Sequence, residues 1–467
     1  MPTEDAKTYY AKLLKSVEDT GRKLAVVRAN PKATRSSTPR TKDGRLDLRG
    51  CVSCKEKMRN AMLARALKPG TPEVKSLDLN LSDRCNLACS FCYARENDGL
   101  GPDIERTKRF LSWFGNVRRA LRGRGSTVLS SKVTFYGGEP LVEFDDLQAS
   151  VNWMREEYSD INPSFGIVTN MTLLDEDKLK WLFDNKVRIQ CSIDGCPEAQ
   201  DTLRTYENGN GTSRVVYENA RRVLKLLPGA ACRATVTPKT AHLLFESVRF
   251  LVEEVGFAKV NPVLAGGSVW RPDQVESLVE EFRRLCDWWM QKLRKGRLIE
   301  CYFMNHIIPD LIRGKRGTGR CGAGRALVAF DTRGTLWPCH RFCNTRSYSP
   351  EILNRFKLGD IETGYTNVGL TEELESIHLG KRDAALCFGC GAADVCRNNC
   401  LHESVLEGES EDLYSRRPNH CLIWPLLVKE IREVHQTMVM EKNVLYRERY
   451  LELRTKGSKG QRKGTKK

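Results

Sequence analysis

Several things are missing from this chain of 467 residues. No apolar run approaches the roughly 20 residues that cross a bilayer, which predicts no membrane partner. The amino terminus, "MPTEDAKTYYAKLLKSVEDTG", has early acidic residues and no apolar core, so it does not read as a secretory leader. The expectation is a cytoplasmic protein. The cytosol keeps thiols reduced, so eighteen cysteines call for an explanation other than disulfides, and metal or iron–sulfur ligation is the economical one. Acidic residues are absent from the last fourteen positions, "RTKGSKGQRKGTKK", which carry +7, and residues 1–50 carry +6. Only +4 of the net +17 is left for 51–453. A basic excess confined to the ends fits solvated tails, or nucleic acid bound through those ends.

Between the ends the sequence is patterned. Residues 1–70 read as a basic helical and linker region, with an amphipathic stretch at 5–29 and the unexplained pair Cys51/Cys54. From about residue 71, six β-rich runs (76–81, 132–136, 165–170, 187–193, 232–237 and 258–264) alternate with helix-period segments such as 175–185, 213–227, 240–256 and 272–296. Strands alternating with helices imply a parallel α/β sheet, and six units predict a partial (β/α)6 barrel over 71–300. Its chemistry belongs at the C-terminal ends of the strands. A cysteine-rich region at 301–425 follows, too poor in regular pattern for a large core and so a candidate for stabilisation by bound metal. A terminal helix and basic tail occupy 426–467, the helix expected at 426–450.

The first unusual cluster is "LNLSDRCNLACSFCYARE", which sets Cys85, Cys89 and Cys92 after the first strand. A fourth thiol is missing. Structural zinc sites usually bring four ligands, and a [4Fe–4S] cluster takes four cysteines when its protein closes the coordination. Three thiols leave one iron free for something else.

This pattern resembles the radical SAM superfamily, with Phe91 in the aromatic position before the last cysteine. The resemblance implies a [4Fe–4S] cluster whose open iron binds S-adenosyl-L-methionine (SAM), and a 5′-deoxyadenosyl radical that abstracts a hydrogen atom from substrate. It also implies SAM contacts. Gly137, Gly138 and Glu139 of "GGEP" would lie by the methionine amino group. Ser192 and Asp194 of "SIDG", with Arg204, resemble the carboxylate-holding region of sulfatase-maturating relatives. Thr169 and Asn170 would face the ribose, and Leu264 the adenine.

The second cysteine field runs Cys321, Cys339, Cys387-x-x-Cys390, Cys396, Cys400 and Cys421. Seven ligands are too many for one tetrahedral zinc. The field resembles the SPASM extension, a C-terminal domain carrying auxiliary [4Fe–4S] clusters. Carried over, Cys321, Cys339 and Cys400 would hold an inner cluster, and Cys387, Cys390, Cys396 and Cys421 an outer one. Two expected residues are missing. "CGAGRAL" lacks the extra cysteine that would complete the inner set, leaving an open iron or a ligand from Cys343, Cys301 or Cys51/Cys54. The acidic residue that follows the Cys339 equivalent in sulfatase-maturating enzymes is replaced by His340, a candidate base near neutral pH. "PCH" and "FKLGDI" look more like maturases of ribosomally made peptides.

The resemblance therefore implies a peptide- or protein-modifying enzyme served by a reductant such as flavodoxin or ferredoxin. A nucleic acid or nucleotide substrate, supported by the basic ends and "RGKRGTGR" (313–320), is the alternative. A purely electron-carrying role leaves the three-ligand site and "GGEP" without a purpose.

Overall fold

A computed structural model describes residues 71–94, 100–123, 131–314, 321–343, 348–376, 389–396, 400–407 and 417–451. The expected features within 1–70, including Cys51 and Cys54, lie outside the described residues, as do Cys387, the basic tail and 315–320.

All six expected strands form: β1 (Ser76–Asn80), β2 (Ser131–Tyr136), β3 (Pro163–Thr169), β4 (Arg188–Ser192), β5 (Ala231–Val236) and β6 (Lys259–Leu264). They pair in sequence order, all parallel. A short β7 (Glu300–Cys301) extends the β6 edge. The other edge goes beyond the expected barrel. β8 (Leu327–Phe330) lies parallel against β1 and starts an antiparallel run through β9 (Thr335–Trp337), β10 (Gly359–Asp360) and β11 (Gly364–Tyr365). Among the described residues one open sheet of eleven strands, ordered β11-β10-β9-β8-β1-β2-β3-β4-β5-β6-β7, thus joins the barrel to the start of the second cysteine region.

Alternation within the strands gives the sheet two unlike faces. Leu77, Leu79, Val133, Phe135, Phe165, Ile167, Cys191, Cys232 and Val260 are buried in the apolar core. Many of the intervening positions are polar, among them Asp78, Asn80, Thr134, Tyr136, Gln190, Ser192, Arg233 and Asn261. Parallel register puts Asp78 beside Thr134 and Asn80 beside Tyr136.

The helices cover the apolar face. In α1 (Ile104–Gly123), Phe110 stacks on Phe330 of β8 at 4.6 Å and Trp113 meets the same ring edge-on at 5.3 Å. The crossovers α2 (Phe144–Glu157), α3 (Glu176–Asp184), α4 (Pro197–Leu203) and α5 (Ser213–Leu226) follow β2 to β4. Asp175 caps α3 by accepting the Lys178 amide at 2.8 Å. The expected helix at 240–256 is irregular: a 3₁₀ turn, then α6 (Leu244–Phe250), then a π-helical segment (Leu251–Val255). α7 (Pro272–Arg294) begins with Pro272 at its first position and Gln274 reaching back to the Arg271 amide. It is followed by α8 (Tyr302–Arg313), α9 (Pro350–Phe356), α10 (Val368–Ser376) and α11 (Leu401–Glu407).

The terminal helix α12 spans Pro418–Met440, eight residues earlier than its expected start. Pro425 lies within it, so the helix includes Cys421. Arg283 of α7 grips Glu430 of α12 through paired contacts of 2.9 and 3.2 Å. No described helix is long and apolar enough to cross a membrane.

Candidate active site

The three thiols lie on the loop that leaves β1. Cross-links hold that loop to the chain after β4: the Ala88 amide donates to Thr205 O at 2.7 Å and the Ser90 amide to Leu203 O at 3.0 Å. "GGEP", leaving β2, buttresses it from the other side. The Gly138 amide donates to Ser82 O and the Glu139 amide to Arg84 O. A Cβ on Gly138 would sit 1.9 Å from Arg84 O, and one on Gly137, whose φ is +132°, 2.4 Å from Ser82 O. The paired glycines therefore let two backbones meet at the cysteine loop.

Cys89 is buried, while Cys85 and Cys92 are exposed. Burial pushes the Cys85 thiol up to about 12, with Glu139 and the other two thiols adding to the rise. Cys89 is pushed up to about 11, again by burial first, against the pull of Arg204. Thiols in this state are neutral until a bound cation displaces their protons. Thiolates around one zinc lie about 3.8 Å apart, and among the described residues no three Cys, His, Asp or Glu form such a group. Among the described residues the donor set is three thiols on one loop, which suits a cluster with a vacant corner.

Around the loop the predicted residues join two networks. Glu139 is buried and accepts the Thr169 hydroxyl at 2.7 Å, the Asn170 amide at 2.7 Å and the Leu141 amide at 3.0 Å. Burial nevertheless pushes its carboxyl up to about 7. Asn170 also donates to Asn86, within the cysteine loop, at 3.1 Å, and Asn86 donates to Thr172 at 2.8 Å. The sequence reading missed Asn86 and Thr172, since nothing in "CNLAC" marks Asn as more than a loop residue.

In the second network Arg204 donates twice to Asp194, at 2.7 and 3.1 Å, and its guanidinium lies 5.0 Å from the Phe91 ring centroid. Asp194 also accepts the Thr235 amide at 2.7 Å. Arg204 is thus already paired, and an incoming carboxylate would share it with Asp194. Ser192 ends β4 nearby, and Leu264 ends β6, half-buried against the core.

His340 begins a short turn (His340–Cys343) beside β1. Its Nδ1 is 2.7 Å from Asp78 Oδ2, and its ring stacks on Tyr136 at 4.1 Å with 9° between planes. Sequence reasoning singled out His340 but not Asp78, which in "SLDLN" looks like any strand residue on a polar face. The neighbouring Arg341 links the two cysteine fields. It lies 5.9 Å from the ring centroid of Tyr93, directly after Cys92, and its Nη1 is 3.8 Å from Cys400 Sγ. Glu403 holds it at 2.7 Å.

In the second field, Cys321, Cys339 and Cys400 share one electrostatic neighbourhood. Burial raises Cys339, and Cys321 and Cys400 raise it further. Cys390 and Cys421 are exposed, and Cys396 is half-buried with its Sγ 3.4 Å from His420 Nε2. Cys301 sits apart on β7, with Cys286 and Tyr450 as its neighbours.

The chain is similar to several known proteins. The cysteine-type anaerobic sulfatase-maturating enzyme of Clostridium novyi is 23% identical over 350 residues, covering 70% of this chain and 88% of the relative. The mycofactocin maturase MftC of Mycolicibacterium smegmatis is 24% identical over 342 residues, covering 71% and 79%. The solved structure of native anSMEcpe with bound AdoMet superposes with a TM-score of 0.62 at 19% identity, over 78% of this chain and 99% of that one. Residues 79–240, from the end of β1 through the chain beyond β5, match the radical SAM superfamily, and the chain carries a radical SAM domain.

Proposed function

We propose that this chain is a radical SAM enzyme that modifies a peptide or protein side chain by hydrogen-atom abstraction. The observation that carries the proposal is the contact between the two thiol fields. The loop of Cys85, Cys89 and Cys92 continues into Tyr93, Tyr93 meets Arg341, and Arg341 meets Cys400. A site that couples a radical-generating cluster to a second redox group needs the two close together. Two relatives that span about 70% of this chain are maturases by name.

Cys85, Cys89 and Cys92 would hold the first cluster, Cys321, Cys339 and Cys400 an inner auxiliary cluster, and Cys390, Cys396 and Cys421, with Cys387, an outer one. When bound, these groups and SAM supply the 5′-deoxyadenosyl radical and an acceptor for the electron the substrate loses. The polypeptide supplies position and a place for the proton. Arg204, steadied by Asp194, offers one guanidinium edge to the methionine carboxylate. Glu139 lies where a cationic amino group would draw it to its ionised form. His340 takes the substrate proton at Nε2, because Nδ1–H donates to Asp78 and fixes the ring. This arrangement replaces the acidic residue of the sulfatase-maturating pattern with an Asp–His pair. The nucleic-acid alternative rests mostly on segments outside the described residues, and Arg313, from the described start of the 313–320 stretch, pairs with Asp310.

The test is anaerobic reconstitution of the full chain, followed by reduction in the presence of SAM. The expected product is 5′-deoxyadenosine, absent from Cys85→Ala. Deuterium from a labelled candidate peptide should appear in that product. A chain with its full complement of iron that never cleaves SAM sinks the proposal, and deuterium transfer from an oligonucleotide instead redirects it.

A further inference from the structure

The inner auxiliary set is one side chain short, and two unsatisfied buried atoms lie beside it. His402 is 5% exposed, two residues beyond Cys400 on α11, and its Nδ1 has no hydrogen-bond partner. The Tyr348 hydroxyl is likewise buried and unpartnered. The two rings meet edge-on at 5.7 Å, and His402 also meets Phe342, between Cys339 and Cys343, at 5.5 Å. Tyr348 in turn lies in the electrostatic neighbourhood of Cys339, Cys400, Cys343 and Arg341. A buried polar atom left unpaired costs about 1–3 kcal/mol, and in a native protein it calls for an explanation such as a redox role or a bound species. Two of them, with rings in contact and packed by Phe342 between Cys339 and Cys343, point to a shared partner that the polypeptide does not supply.

The other candidates for the missing ligand fit less well. Cys343 is buried and its thiol neighbours Cys339, but Asp331, Asp78 and Asp83 also lie around it, carboxylates that oppose a thiolate. Cys301 belongs to the far edge of the sheet, seven strands from β8. Imidazole nitrogen is a known ligand to iron in iron–sulfur centres.

We propose that His402, through Nδ1, is the fourth ligand of the auxiliary cluster on Cys321, Cys339 and Cys400, and that the Tyr348 hydroxyl donates a hydrogen bond to a sulfur of the same cluster. This rests on the auxiliary-cluster reading above, and the experiment separates the two.

The full chain with Cys85, Cys89 and Cys92 replaced by alanine silences the first site, whose SAM nitrogen would otherwise interfere. Reconstituted anaerobically with iron and sulfide and then reduced, it should show a directly coordinated nitrogen by pulsed electron paramagnetic resonance, and the signal should respond to ¹⁵N-histidine labelling. Adding His402→Ala should abolish the coupling, and adding Cys343→Ala should retain it. His402→Cys should keep the iron and lose the nitrogen signal, which excludes misfolding as the cause. Absence of the coupling, or its survival in His402→Ala, overturns the assignment. If Cys321→Ala and Cys339→Ala remove no iron, the auxiliary-cluster reading itself fails.

Discussion

Glu139 shows how a single buried carboxylate can serve both stability and the site. It holds the end of β3 through Thr169 and Asn170, yet burial lifts its carboxyl to about 7. An unfolded glutamate titrates near 4.3. Below that value both states are protonated and the stabilising contribution is fully present. Between about 4.5 and 7 the folded state binds the extra proton, so stability falls as pH rises through this window. Glu139→Gln should flatten that slope in the metal-free chain. Urea unfolding at pH 5 and pH 7.5 should show wild type losing more stability than the variant over this range, by up to about 3 kcal/mol. Equal losses in the two proteins would show that Glu139 is not the titrating group.

At the scale of elements, Asp194 joins β4, β5 and the chain leaving α4, because one carboxylate accepts from Arg204 and from the Thr235 amide. Removing one partner of a buried pair leaves an uncompensated charge and costs about 3–5 kcal/mol. Asp194→Ala should lower unfolding stability by that amount in denaturant titrations, and Asp194→Asn by less, since it keeps an acceptor. An Asp194→Ala chain as stable as wild type would show that Arg204 finds solvent or another partner. The same elements show how far a sequence reading reaches. Strands β1 to β6 were legible within about two residues because short apolar–polar alternations sit between long helical periods. Strands β8 to β11 were not, being two to four residues long and set among turns. Helix α12 begins earlier than expected because tertiary packing against α7 carries it through Pro425, a residue that disfavours a helix interior. Within the site, the thiols and "GGEP" announced themselves by spacing. The Asp78–His340 pair did not, because it joins residues 262 apart whose meeting depends on β8 and β9 pairing beside β1.

For the whole molecule, the question is whether the two thiol fields are independent metal sites or parts of one. Their loops depart from different strands, and their shared contact is a side-chain bridge, Tyr93 to Arg341 to Cys400, rather than a shared ligand. Ligand sets that share no thiol should load separately, since each cluster is bound by its own donors. Three [4Fe–4S] clusters would give about twelve irons per chain. Replacing Cys85, Cys89 and Cys92 by alanine should leave about eight irons, together with the spectra of the auxiliary pair. Replacing Cys321, Cys339 and Cys400 should also leave about eight, with SAM binding preserved in calorimetry. The bridge predicts one form of cross-talk. With Cys400 and its metal gone, Arg341 keeps Glu403 but loses its sulfur contact, so the reduction potential of the first cluster should move while its occupancy does not. Iron that disappears from all sites after either set of substitutions would instead make the fields one cooperative folding unit.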